Sequence, residues 1–287
     1  MMELPGIIAV DLDGTLFADK RGTILPCTQA VVKACIDAGA KLVPATGRSA
    51  LFVSCDQLPP VQYLITCNGG VISEVQTGKI LYSHRICWQD VRAAWELTRD
   101  LLRKNNVVMQ LFEETGVVME EEVLNHPDMY AQGIPPFQMP FVTGGKIMKT
   151  SSFEEYISPD CSRVVKINFP GKSMRECPEI AELLKNTGIF SVTSDGMNIE
   201  VMARGCSKGK ALLWLSNYLQ VPSGKVIAFG DGNNDLSMLH CAGWGVAMGN
   251  AAEDIRTTAP YCTDSHSEDG IAHFLQRMFP QLKDIKS

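Results

Sequence analysis

Two aspartates one residue apart stand at the end of an apolar run. In "IIAVDLDGTLF", residues 7–17, Asp11 and Asp13 follow Ile7, Ile8, Ala9 and Val10 and precede Gly14 and Thr15. Carboxylates beside a buried strand are costly unless something compensates them. Side chains two positions apart in extended chain face the same side, so the pair could share a phosphoryl transfer. One carboxylate would attack phosphorus and form an aspartyl-phosphate. The other would protonate the leaving oxygen and later deprotonate the attacking water. Gly14 permits a tight exit at positive φ, and Thr15 offers a hydroxyl. Exposed N–H groups in such a turn attract an anion.

Three further apolar runs end in polar residues of the same kind. "PATGRS" carries Thr46, Gly47 and Arg48, "TCNGG" carries Thr66, Asn68, Gly69 and Gly70, and "GDGNND" carries Asp231, Asn234 and Asp235. Ligands of open α/β sheets bind at the carboxyl ends of the strands. Asp11, Asp13, Asp231 and Asp235 would bring up to four carboxylates to one crevice, with Lys208 as a nearby cation. Crowded carboxylates raise one another's pKa, and a hard dication relieves them. Mg²⁺ takes oxygen ligands at about 2.0–2.1 Å, usually one or two carboxylates plus substrate phosphate, and no soft ligand set competes here. Thr46 and Lys208 would supply a donor and a positive charge to a phosphoryl group.

The elements that must hold these residues follow from the apolar pattern. "IIAV" (7–10), "KLVPAT" (41–46) and "VQYLIT" (61–66) read as strands. "TQAVVKACIDAGA" (28–40) reads as a helix stopped by Gly39, and "SALFVSCDQL" (49–58) as a second helix with a serine N-cap. Strand and helix alternation argues for a parallel sheet with right-handed crossovers. The rhythm returns late in the chain, with helices at 207–221, 233–242 and 251–259 and strands at 225–230 and 244–249. Between the two stretches lie an amphipathic helix at 88–105, a helix at 173–186 and strand-like segments at 107–112, 116–121, 163–169, 189–194 and 198–202. Residues 125–145, rich in Pro, Gly and Met, read as an irregular connection. The simplest architecture is an α/β core of residues 1–83 and 203–287 with an inserted α+β domain over 84–202.

Bulk properties narrow the class. The chain has 287 residues, of which 45% are apolar and 20% charged, with a formal net charge of −6. That balance argues against nucleic acid as the main partner, because phosphate binding leaves a basic footprint. No apolar stretch is long enough to span a bilayer, and the first residues show no secretory signal. The ten cysteines are scattered without CxxC or zinc spacing. They read as reduced core residues of a cytoplasmic protein. The five histidines form no ligand pattern. "GCSKGK" lacks the spacing and final Ser/Thr of a nucleotide P-loop.

Taken in order, "DLDGT" (11–15), "ATGRS" (45–49), "SKGKAL" (207–212) and "GDGNNDLSML" (230–239) resemble the four motifs of the haloacid dehalogenase (HAD) superfamily. "NGG" (68–70), "NIEVMARGCSKGKAL" (198–212) and "AMGNA" (247–251) resemble its Cof-type phosphatases, subfamily IIB. The resemblance implies a Rossmann-like core with a C2B-type cap, and a cap that closes over the crevice. It implies Asp11 as nucleophile and metal ligand, and Asp13 as general acid/base that also offers its backbone carbonyl to Mg²⁺. Thr46 and Lys208 would hold the phosphoryl group. Asp231 would be the other carboxylate ligand, with Asn234 and Asp235 in support of the metal and phosphate site. Gly14, Thr15, Gly47, Arg48 and Asn68 would line the phosphate, although Arg48 could equally form an ion pair. The implied activity is an Mg²⁺-dependent phosphatase of a small phosphorylated metabolite, a sugar phosphate or a phosphorylated cofactor. A sugar phosphomutase using the same aspartyl-phosphate, or a non-catalytic metabolite-binding regulator, stands as the alternative. Substrate identity and oligomeric state are left open by the sequence.

Overall fold

A computed structural model describes residues 3–105, 107–125, 147–160, 163–170, 178–194 and 198–285. The chain divides into two compact units. One comprises Met1–Gly47, Val53–Tyr82 and Ser207–Ser287; the other comprises Arg48–Phe52 and Ser83–Cys206.

The first unit is built on a parallel sheet. Strands β1 (Ile7–Val10) and β2 (Lys41–Pro44) are joined by helix α1 (Pro26–Asp37). Pro26 starts α1 where a missing N–H costs nothing, and Gly39, at φ +103, lets the chain turn out of it. Strand β3 (Tyr63–Thr66) lies parallel to β2 through bridges at Leu42–Val61 and Ala45–Ile65. Antiparallel β4 (Val71–Glu74) and then β5 (Ile80–Ser83) continue from β3.

The second unit follows in the chain with helix α2 (Trp88–Asn105), β6 (Gln110–Glu113), β7 (Val117–Glu120), α3 (Glu121–Asn125) and β8 (Met148–Thr150). It continues with α4 (Phe153–Tyr156), β9 (Val164–Pro170), α5 (Glu179–Asn186), β10 (Phe190–Ser194) and β11 (Asn198–Ala203). The first unit resumes with α6 (Lys208–Tyr218), β12 (Val226–Gly230), α7 (Leu236–Cys241), β13 (Trp244–Ala247), α8 (Glu253–Thr258), β14 (Tyr261–Cys262) and α9 (Gly270–Met278).

The order β14-β13-β12-β1-β2 puts β1 between β12 and β2. This placement explains its unbroken aliphatic run, since a central parallel strand is covered on both faces. Ile8 and Val10 pack with α1 and α9, while Ile7 and Ala9 pack with α6 and α7. In the second unit the sheet order is β10-β11-β9-β6-β7-β8. One face packs on α2 and α5 through Val91, Trp95, Ile167, Ile180 and Ile199. The other face carries buried polar side chains. Lys166 Nζ meets Glu200 Oε1 at 2.5 Å, and Asn168 Nδ2 donates to Gln110 Oε1 at 2.9 Å. Buried Asn168 Oδ1 accepts no hydrogen bond from the described residues.

Two differences from the sequence reading concern local structure. Residues 49–58 form no α-helix, only short 3₁₀ turns at Ala50–Phe52 and Cys55–Gln57. Ser54 between them is extended, at φ −85 and ψ 102, and Pro59–Pro60 bar continuation into a longer helix. Asn233–Asp235 is likewise a 3₁₀ turn, and α7 proper begins at Leu236. The expected irregular connection at 125–145 falls outside the described residues apart from Asn125, as does the start of the helix expected from 173. Among the described residues, no helix is long and apolar enough to cross a membrane.

Candidate active site

The exits of four neighbouring strands assemble the first unit's polar cluster. At the end of β1 the backbone N–H of Asp11 still bonds to Phe229 O at 3.0 Å, continuing the pairing with β12. The chain then folds back, with Leu16 N donating to Asp11 O and Phe17 N to Leu12 O. Gly14 sits at φ +82, and a Cβ there would lie 2.4 Å from Asp231 Oδ2. The turn therefore requires glycine both for its backbone conformation and for the approach of that carboxylate. Asp13, two residues beyond Asp11, is exposed to solvent. Thr15 is buried and donates its hydroxyl to Asp231 Oδ1 at 3.0 Å.

Lys208 arrives at the head of α6. Ser207 caps this helix by accepting from Lys210 N at 3.2 Å. The helix start lies against the β3 exit, where a Cβ on Gly69 would stand 2.2 Å from Ser207 O. Lys208 is fully buried, and its Nζ bonds to Asp11 Oδ1 at 2.6 Å and to Asp235 Oδ1 at 2.7 Å. Asp235 spends its other oxygen on the β12 exit, accepting from Asp231 N at 3.0 Å and Gly232 N at 2.9 Å. Asp235 thus aims the lysine and shapes the loop that carries Asp231.

The second and third strand exits interlock through the backbone. Thr46, buried at the end of β2, receives Asn68 N on its carbonyl at 3.0 Å and donates its own N–H to Ile65 O. Cys67 and Asn68 both adopt left-handed conformations, at φ 51 and 55. Such strain in buried residues persists only where the surroundings impose it. It directs the Asn68 carboxamide, whose Oδ1 accepts from Asn234 Nδ2 at 3.0 Å. Asn234 and Asn68 are therefore fixed by each other. Arg48 belongs with the second unit, and its guanidinium donates to Phe52 O at 3.4 Å.

The electrostatics are unbalanced. Asp11, Asp231 and Asp235 present carboxylate oxygens within 4.8 Å of one another, and Lys208 is the ammonium bonded among them. Burial pushes Asp11 up to about 8. Lys208 opposes that rise, and the charges of Asp235 and Asp231 add to it. Asp231 is pushed up to about 6, chiefly by burial and then by Asp235, against the pull of the Thr15 hydroxyl and Lys208. For Lys208 burial works toward a lower pKa, but Asp11 and Asp235 outweigh it and hold the ammonium charged. Three carboxylates against one ammonium leave a formal excess of two negative charges. A dication with a preference for oxygen fits that excess and that donor set. Asp11 Oδ2 accepts no hydrogen bond from the described residues, so one oxygen of this buried carboxylate has no donor among them.

One further side chain at the cluster carries no chemical signal of its own in the sequence. Asn250, just past β13, donates its Nδ2 to Gly14 O at 2.9 Å and to Asp231 Oδ2 at 3.2 Å. The segment "AMGNA" marked its neighbourhood, but only the pairing of β13 beside β12 brings it to Asp231.

Comparison with known proteins places the chain in a family. Residues 8–275 match the haloacid dehalogenase-like hydrolase family. A putative phosphatase of Haemophilus influenzae is 30% identical over 94% of this chain and 97% of its own length. A 5-amino-6-(5-phospho-D-ribitylamino)uracil phosphatase of Bacillus subtilis is 27% identical over 94% of this chain and 97% of its own. The crystal structure of a haloacid dehalogenase-like hydrolase from Bacteroides thetaiotaomicron superposes with a TM-score of 0.76 at 26% identity. That match covers 96% of this chain and all of the other. The chain belongs to the haloacid dehalogenase-like hydrolases, and like its phosphatase relatives it is a hydrolase of phosphoric monoesters.

Proposed function

We propose that this enzyme is an Mg²⁺-dependent phosphatase of a small phosphorylated metabolite, working through an aspartyl-phosphate in the cytoplasm. The observation that carries the reading is Asp11. One of its oxygens is held by a buried lysine, the other accepts no hydrogen bond from the described residues, and an exposed Asp13 stands two residues on. Asp11 attacks phosphorus, and the bond to the leaving oxygen breaks as Asp13 gives that oxygen a proton. Asp13 then takes a proton from water as the water attacks the phosphoryl group, which frees Asp11 and releases phosphate. Lys208 keeps Asp11 oriented and contributes positive charge to the transferring group, with the Thr46 hydroxyl and the turn at Gly14–Thr15 as further donors. Asp11, Asp231 and the backbone carbonyl of Asp13 would hold Mg²⁺, with Asn234 and Asp235 supporting them. When bound, the ion neutralises charge on the carboxylates and the phosphoryl oxygens. Gly47, Asn68 and Arg48 complete the proposed phosphate-binding set.

The inserted unit would select the organic part of the substrate. A sugar phosphate or a phosphorylated cofactor is the class we assign. The Bacillus relative, named for a ribityl phosphate on a heterocycle, places that compound on the assay panel. The test is phosphate release from p-nitrophenyl phosphate and from a panel of phosphorylated metabolites, with Mg²⁺ and with EDTA. Turnover that survives EDTA, or full activity in Asp11→Asn, would overturn the mechanism. Isomerisation of a hexose phosphate without phosphate release would assign a mutase instead.

A further inference from the structure

We infer that Asn250 is a positioning residue that sets the orientation of Asp231 against the Gly14 turn, and so sets the affinity of the site for its divalent cation; this rests on the function proposed above. The two oxygens of Asp231 are gripped from opposite sides. Thr15 Oγ1 donates to Oδ1 at 3.0 Å and Asn250 Nδ2 donates to Oδ2 at 3.2 Å. The same Nδ2 donates to Gly14 O at 2.9 Å. One amide group therefore ties the β1 exit to the β12 exit, at the point where Gly14 leaves no room for a side chain.

The amide cannot turn around. Its Oδ1 accepts from His266 N at 3.1 Å and stands 3.5 Å from the Ser265 hydroxyl. A backbone N–H can only donate, so the oxygen must face 265–266 and the NH₂ must face Gly14 and Asp231. The 265–266 turn is anchored in its own right. Ser265 accepts from Ser267 N at 3.3 Å, Gly249 N donates to Asp264 O at 3.1 Å, and the His266 ring nitrogen Nδ1 meets Phe17 O at 3.0 Å. Asn250 is thus a rigid strut running from the loop after β14 to a carboxylate held to be a metal ligand. Outer partners that orient a ligand typically alter metal affinity by roughly 10–100-fold when removed.

The variants are Asn250→Asp and Asn250→Ala. The first keeps the shape but turns an oxygen toward Gly14 O and Asp231 Oδ2, where only a donor is tolerated. The second removes the strut. Asn250 is exposed and lies outside the helices and strands, so both variants are expected to fold, and thermal melting in EDTA checks this. Calorimetric titration of the metal-free protein with Mg²⁺ is the primary readout. The expected result is binding about tenfold or more weaker in Asn250→Asp and several-fold weaker in Asn250→Ala. The Mg²⁺ concentration for half-maximal phosphatase rate should rise in parallel, with the substrate KM at saturating Mg²⁺ within about twofold of wild type. Melting temperatures that fall while Mg²⁺ affinity stays at the wild-type value would overturn the inference and leave the proposed function standing. Wild-type protein that binds no Mg²⁺ would overturn both.

Discussion

Lys208→Met is the most searching perturbation of this site. The lysine is fully buried and joins Asp11 to Asp235 at 2.6 and 2.7 Å. Methionine has a similar unbranched stem, so the substitution removes charge with little change in volume. Two buried carboxylates then lose their cation, which costs about 3–5 kcal/mol when one partner of a buried pair is removed. At about 2–4 °C per kcal/mol for a chain of this order of size, the melting temperature in EDTA should drop by roughly 6–20 °C near pH 8. The gap should depend on pH. Asp11 is already raised to about 8 with the lysine in place; without it, Asp11 keeps its proton to still higher pH. The folded variant then binds more protons than the unfolded chain from about pH 4 upward, so its stability falls as pH rises. The deficit against wild type should be nearly constant from about pH 5 to 7 and should widen as pH rises through about 8, where Asp11 ionises in the wild type but stays protonated in the variant. Differential scanning fluorimetry across that range reads both curves. A drop under about 2 °C at pH 8, or curves that stay parallel from about pH 7 to 9, would refute the charge argument.

The wild-type protein makes its own pH prediction. Asp11 and Asp231 are raised to about 8 and about 6, so the stability they confer is complete below the unfolded value near 4 and is lost as pH climbs toward 8. Metal-free protein should therefore melt lower at pH 8 than at pH 5. The rise in melting temperature on adding millimolar Mg²⁺ should grow over the same interval, because binding displaces protons; a flat Mg²⁺ effect would count against the cluster as the metal site. Asp11→Asn should lower phosphate release by a factor of about 10³ or more while the circular dichroism spectrum is kept, since the amide cannot act as nucleophile. Gly69→Ala forces a Cβ to 2.2 Å from Ser207 O at a φ of +95. Urea unfolding should show a loss of about 2 kcal/mol or more from strain and clash together, and activity should fall because Lys208 adjoins the displaced residue.

What could be read in the sequence was periodicity and local spacing. The α2 stripe of Val91, Ala94, Trp95, Thr98 and Leu102 is buried as its spacing predicts, and β1 and β12 declared themselves as unbroken aliphatic runs. Residues 49–58 misled because apolar spacing over so short a stretch does not separate a helix from two turns, and the chain geometry at Ser54 decided it. Lys208 had no local mark as a buried ion; its burial depends on two aspartates brought from distant strands. Asn250 lay in a recognisable segment, yet its task comes from the lateral order of β13, β12 and β1, which no local window contains. The buried amides Gln110 and Asn168 were invisible for a related reason. Alternation says which face a strand residue takes, and only the partner strand shows that both amides lie on the same covered face.

The separation of Asp11 from Lys208 has a consequence for how the enzyme is made. The two are 197 positions apart, and β1 must also wait for β12, whose register runs from Ile7–Val226 to Val10–Phe229. A chain emerging from the ribosome therefore carries β1 with one open edge and an uncompensated aspartate until its final third appears. The stretch Ser83–Cys206 is continuous and holds an apolar core, so those contacts are all translated before the first unit's remaining strands. Interrupted synthesis would leave the insert joined to an open half-sheet with no lysine at Asp11. Asp11 thus gains its compensating lysine only when the translated chain can close around it.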